Sequence, residues 1–127
     1  MPLTQISMRA GKSEKHKRAI MDGIYAAMRE TFAVPEGDRF MTVTEFPASD
    51  LSYGPRYPGV ERSDDLVIIQ ITVSNNRTRE QKLTLYKAIN KELGARAGCR
   101  PDDVFINIVE VLPENWSFGQ GRAQNIE

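Results

Sequence analysis

A proline at position 2, in the opening stretch "MPLTQISM", is the first residue of this chain whose type and place suggest chemistry. With Met1 removed, as is usual ahead of a small second residue, the Pro2 ring nitrogen is a secondary amine able to act as base, acid or nucleophile. With Met1 retained, that nitrogen is a tertiary amide without a proton, and a proline there is only a permitted first residue of a strand. Other reactive types are scarce. The single cysteine, Cys99 in "AGCRPDD", excludes an internal disulfide and has no evident partner base. With one histidine in the chain there is no Cys/His metal set, and no metal or cofactor is expected.

Charge excludes further classes. Lys plus Arg and Asp plus Glu number 17 each, so no whole-protein field draws in nucleic acid or a membrane. The basic cluster Arg9, Lys12, Lys15, His16, Lys17, Arg18 has no interleaved stacking aromatics and reads as a solvated helix end. The N-terminus has no charged segment followed by a long apolar run, so neither signal peptide nor membrane span is expected, and a cytoplasmic protein is.

The elements that must position Pro2 follow from periodicity. At 127 residues, one domain spanning 1–127 is expected. Residues 2–8 read as a strand. Ser13 caps a helix whose Ile20, Ile24, Met28 and Phe32 recur every four residues, and Pro35 forbids continuation. "RFMTVTEF" at 39–46 alternates as a second strand, and "LVIIQITV" at 66–73 is a nearly continuous apolar run typical of a buried strand. Thr78 and Gln81 form a capping-box signature ahead of a helix carrying Leu85, Ile89 and Leu93, which Gly94 and Gly98 help to end. The last strand is 104–111. The intervening loop "SYGPRYPGVERSDD", with Tyr53, Arg56, Tyr57 and Arg62, reads as flexible surface rather than a cover for a pocket.

Laid on itself with an offset of 65, the chain repeats. Gln5 and Ile6 meet Gln70 and Ile71, Ser13 meets Thr78, Lys17 meets Lys82, and "DRFMTVTE" from Asp38 meets "DVFINIVE" from Asp103. The fold class is therefore α/β (α+β): duplicated βαβ units, roughly 2–46 and 67–111, forming a four-stranded sheet with both helices on one face. The opposite face, apolar on both sides of 66–73, calls for a partner subunit and predicts a homo-oligomer. Pro2 corresponds to Val67, so only the first half can present a terminal amine.

A duplicated βαβ beginning Met-Pro resembles the tautomerase superfamily, and within it the malonate semialdehyde decarboxylase group. The segments carrying the resemblance are "MPL", "VPEGDRF" at 34–40, "NRTREQK" at 76–82, "PDDVFI" at 101–106 and "NWSFGQGRA" at 115–123. It implies a cofactor-independent enzyme, a trimer, and a small carboxylate-bearing oxo-acid substrate. By motif, the proline amine is Pro2, the aspartate after the first helix is Asp38, and the arginine ahead of the second is Arg77. The decarboxylase pattern has an Arg-x-Arg ending where Arg77 stands; its earlier member is Asn75 here, and Arg79 restores the spacing two residues later. Trp116 and Phe118 would form an aromatic wall.

Each of these residues also has a plainer reading. Arg77, just before the Thr78 cap, suits a carboxylate or enolate, because free N–H groups of a helix start add to its guanidinium; otherwise it is a surface arginine. Asp38 either holds a water or the substrate, or makes a turn before a strand as Asp103 does. Trp116 and Phe118 line a pocket, an oligomer contact or both. A neutral Pro2 suits keto-enol tautomerisation of a small 2-oxo acid. A cationic Pro2 suits decarboxylation or hydration of a 3-oxo acid, and a non-catalytic binding module needs no amine at all.

Overall fold

In the computed structural model, which describes residues 1–127, the periodic segments become strands β1 (Leu3–Arg9), β2 (Phe40–Phe46), β3 (Val67–Ser74) and β4 (Val104–Val111), with helices α1 (Glu14–Phe32) and α2 (Arg79–Ala97). The two helices fall 65 residues apart at both ends, so the repeat seen in the sequence is a repeat of structure. Their starts are specified alike. The Ser13 hydroxyl accepts the His16 N–H, and Thr78 with Gln81 closes a reciprocal capping box at 2.9 and 3.1 Å. Their ends differ. Ala33 stops α1 in the left-handed region at φ 52°, whereas Gly98 stops α2 at φ 68° and donates its N–H to the Gly94 carbonyl. Gly94, expected to help end α2, lies inside it.

The sheet order is β2-β1-β3-β4. Strands are parallel within each βαβ unit, and β1 runs antiparallel to β3. Gln5 and Gln70, equivalent in the repeat, face each other across that central pair, so a local two-fold axis passes between them. It follows that β1 and β2 begin at the end of the sheet where β3 and β4 finish.

Both helices pack on one face. Ile6, Met8, Ile69, Ile71 and Val73 from the sheet meet Ile20, Ile24, Met28, Leu85, Ile89 and Leu93 from the helices, all buried. The helices approach closely at Gly23, where an added Cβ would lie 3.0 Å from Leu93 Cδ1. Lys17 pairs with Glu45 at 2.6 Å and Lys82 with Glu110 at 2.8 Å, the same helix-to-strand tie in each half.

The opposite face of β3 is mixed, correcting the expectation of an apolar run on both sides: strand alternation turns Ile68, Gln70 and Thr72 outward. Its apolar content comes instead from Phe40, Phe105 and Val109, all exposed, on the outer strands.

The 52–65 loop is pinned rather than loose. Ser63 and Arg100 meet Asp103, Tyr53 donates to Asp64 at 2.7 Å, and the Arg62 guanidinium lies 5.6 Å from the Phe105 ring. No helix is long and apolar enough to cross a membrane.

Candidate active site

The end of the sheet where β1 begins gathers the residues singled out from sequence. Pro2 sits just ahead of β1 and is buried. Asp38 follows the turn that leaves α1, its N–H bonded to the Pro35 carbonyl at 3.1 Å. Its side chain is only 10% exposed; Oδ2 lies 3.9 Å from the Met1 amine, and Oδ1 is buried without a hydrogen-bond partner. Arg77 stands between the end of β3 and the Thr78 cap of α2. Its guanidinium lies 4.9 Å from the Phe32 ring, Nη1 donates to the Asn76 side-chain oxygen, and Nε is buried without a partner.

The terminal amine at this point has a pKa below its ordinary value of 8.0. Burial lowers it most, the Asp38 carboxylate raises it, and the Arg77 guanidinium lowers it again. The amine's surroundings thus favour the neutral form despite a carboxylate nearby.

Two hollows meet at Met1. One, of about 230 Å³, is apolar and lined by Pro2, Leu3, Phe40, Trp116 and Phe118 together with Met1. Its aromatic wall is fixed from below, because Trp116 Nε1 donates to Ser74 Oγ at 3.0 Å and its ring lies 5.7 Å from that of Phe118. The other, of about 240 Å³, is polar and lined by Met1, Ser74, Asn76, Arg77, Pro113 and Asn125. Both are below the roughly 300–1,000 Å³ of cavities that take drug-sized ligands, and so suit a small one. Larger depressions of about 460 and 610 Å³ run along the outer side of α1, but charged, solvent-open side chains such as Asp22 and Arg96 line them and no polar group there is buried and free.

Pro2, Arg77, Trp116 and Phe118 line the two hollows at one end of the sheet, and Asp38 joins them through the Met1 amine without lining either hollow itself. Asn75 and Arg79 are exposed and line neither hollow; Asn75 spends its N–H on the Val111 carbonyl, and Arg79 is the first residue of α2. Asn76, Ser74, Phe32 and Phe40 were not singled out from sequence. Phe32 carried a signal, being the last apolar position of α1 and hence next to whatever the following turn supports. The 52–65 loop contributes to neither hollow. Burial pushes the Cys99 thiol up, which leaves it a poor nucleophile.

The profile of a family described as "Tautomerase enzyme" matches residues 38–119. The chain is 41% identical over 127 residues to a probable tautomerase, YusQ, of Bacillus subtilis (strain 168), covering the whole of both proteins. Among solved structures it is similar to FG41 malonate semialdehyde decarboxylase inhibited by 3-bromopropiolate, with TM-score 0.91 and 37% identity over 98% of this chain and 94% of that one. It is also similar to a malonate semialdehyde decarboxylase described with decarboxylase and hydratase activities, with TM-score 0.92 and 31% identity over 98% and 95%.

Proposed function

This chain belongs to the tautomerase family, and from that premise we propose that Pro2, freed of Met1, is the base in keto-enol tautomerisation of a small 2-oxo acid. The observation that supports this reading is the buried terminus: for the Met1 amine, burial lowers the pKa more than the Asp38 carboxylate raises it. A Pro2 amine, one residue on and itself buried, is expected to be lowered by the same causes, which favours the neutral form that can take a proton. Loss of Met1 also removes the residue common to both hollows, leaving the amine between an apolar wall and Arg77.

In the direction from enol to ketone, the neutral amine takes the enol hydroxyl proton and becomes an ammonium. Electrons move from oxygen through the double bond, and the ammonium returns a proton to carbon, so the enzyme ends as it began. Arg77 holds the carboxylate of the acid, aided by the free N–H groups at the start of α2. Trp116, Phe118 and Phe40 exclude water from the reacting carbons. The exposed Phe40, Phe105 and Val109 suit burial against further copies, as a homo-oligomer and, on the family resemblance, a trimer.

A second reading, decarboxylation or hydration of a 3-oxo acid with a cationic Pro2, is favoured by Asp38, whose Oδ2 lies 3.9 Å from the Met1 amine next to Pro2, since a carboxylate near the terminus stabilises an ammonium there. One experiment separates the readings. Protein whose intact mass lacks one methionine is assayed with the enol of a 2-oxo acid and with a 3-oxo acid. Pro2→Ala is expected to cut enol turnover by at least about 10²-fold with the assembly intact. Undiminished turnover in Pro2→Ala, or activity in protein that retains Met1, overturns proline catalysis. Activity on the 3-oxo acid alone selects the second reading.

A further inference from the structure

One end of the sheet shows what the other lacks. By the repeat, Asp103 stands where Asp38 does, Lys12 where Arg77 does, and Val67 where Pro2 does. At the end of the sheet where β3 begins, Asp103 and Lys12 are both served by the segment entering β3. Ser63 donates its N–H to Asp103 Oδ1 at 2.7 Å and its hydroxyl to Oδ2 at 2.6 Å, while Asp65 pairs with Lys12. The two donors are tied into one compact unit, since the Asp65 N–H itself reaches Ser63 Oγ at 3.2 Å. A hydroxyl and a carboxylate, two residues apart, thus serve Asp103 and Lys12.

At the opposite end of the sheet the corresponding residues, Asp38 from the first repeat and Arg77 from the second, each keep one buried atom without a partner. Asp38 Oδ1 is buried on a side chain nine-tenths buried and has no donor, and Arg77 Nε is buried with no acceptor. A buried carboxylate oxygen without a donor is costly, and such groups are rare in folded proteins unless a ligand or water completes them.

We infer that the ligand of this site brings a hydroxyl donor to Asp38 as well as a carboxylate to Arg77, doing in one molecule what Ser63 and Asp65 do at the other end of the sheet. The inference rests on the proposed function for the location of the site and goes beyond it in naming the ligand class. A bare oxo acid offers Asp38 only acceptors, so lone pairs face lone pairs. Its enol or its hydrate offers an O–H. The site therefore selects hydroxyl-bearing forms of small carboxylic acids, and stable saturated hydroxy acids are ligands that cannot react.

The test is a calorimetric titration of protein lacking Met1 with propanoate, 2-hydroxypropanoate and 3-hydroxypropanoate at one pH and ionic strength. At least one hydroxy acid is expected to bind about tenfold more tightly than propanoate, the scale of a hydrogen bond to a charged acceptor. Asp38→Ala is expected to abolish that preference, read as the ratio of hydroxy-acid to propanoate affinity within the variant. Should that variant fail to fold, Asp38→Asn, which keeps the shape with a weaker acceptor, is expected to reduce the preference. Equal affinity for the three acids overturns the inference, as does a preference that survives both substitutions. Turnover is read separately: hydroxyl preference in a protein inactive on both oxo acids leaves this inference standing and removes the proposed function, and proline-dependent turnover without the preference does the reverse.

Discussion

Asp38 and Asp103 occupy the same place in the two halves, one turn ahead of a strand, and have opposite surroundings. Asp103 is fully buried and accepts from Ser63 twice and from the Arg100 guanidinium at 3.3 Å, so its charge is spent on holding a loop. Asp38 has one oxygen 3.9 Å from an amine and the other facing nothing. Duplication thus preserved the scaffold, including the caps and the Lys17–Glu45 and Lys82–Glu110 ties, while one copy closed its end and the other stayed open. The difference lies less in the aspartates than in what is packed against them.

The largest effect that sharpens this contrast is on turnover. Arg77→Ala is expected to lower kcat/KM by roughly 10²–10³, the scale of losing one preorganised charge donor, while Lys12→Ala at the equivalent place leaves it unchanged. Equal losses in the two variants would mean that the two ends of the sheet are not specialised as described.

Next comes stability, where the order reverses. Asp103→Ala strands the Ser63 N–H and hydroxyl and is expected to cost about 1–3 kcal/mol in urea unfolding. Asp38→Ala, which removes a carboxylate oxygen with no donor, is expected to cost close to nothing and to impair the reaction instead. An Asp38→Ala protein as unstable as Asp103→Ala would break the comparison.

A gentler probe is pH. If the neutral amine is the base, kcat/KM rises with pH through the Pro2 pKa, and burial, which lowers the pKa of the Met1 amine beside it, is expected to draw that rise to lower pH. Arg77→Gln removes a neighbouring cation that lowers this pKa, so the rise is expected to move to higher pH. A profile that falls over the same range would mark the ammonium as the working form. The smallest effect is expected where the halves agree: Lys17→Ala and Lys82→Ala should each lower Tm slightly and by similar amounts, as exposed ion pairs do.

Much of the scaffold was legible because it is local. Strand alternation, the four-residue spacing of Ile20, Ile24, Met28 and Phe32, and the Thr78–Gln81 box each depend on neighbours within a turn or two. Gly94 misled for the same reason, since a glycine in the last turn of a helix and one just past it read alike until a positive φ distinguishes Gly98. The site was legible only in part. Pro2 and Asp38 announce themselves by place in the repeat, but Ser74 matters through Trp116, 42 residues away, and no local pattern records that bond. Asn76 rather than Asn75 lines the polar hollow because β3 ends at Ser74 and alternation no longer governs the chain beyond it. The mixed outer face of β3 escaped notice because Gln70 and Thr72 sit singly within an apolar run.

Trp116 is the one tryptophan of the chain, and it lines the apolar hollow with its indole N–H anchored on Ser74. The protein therefore carries its own optical reporter at the place where a ligand would enter. Any acid that displaces solvent from that wall alters the polarity around a single emitter, so occupancy can be followed by intrinsic fluorescence, without a label and for compounds that are never turned over.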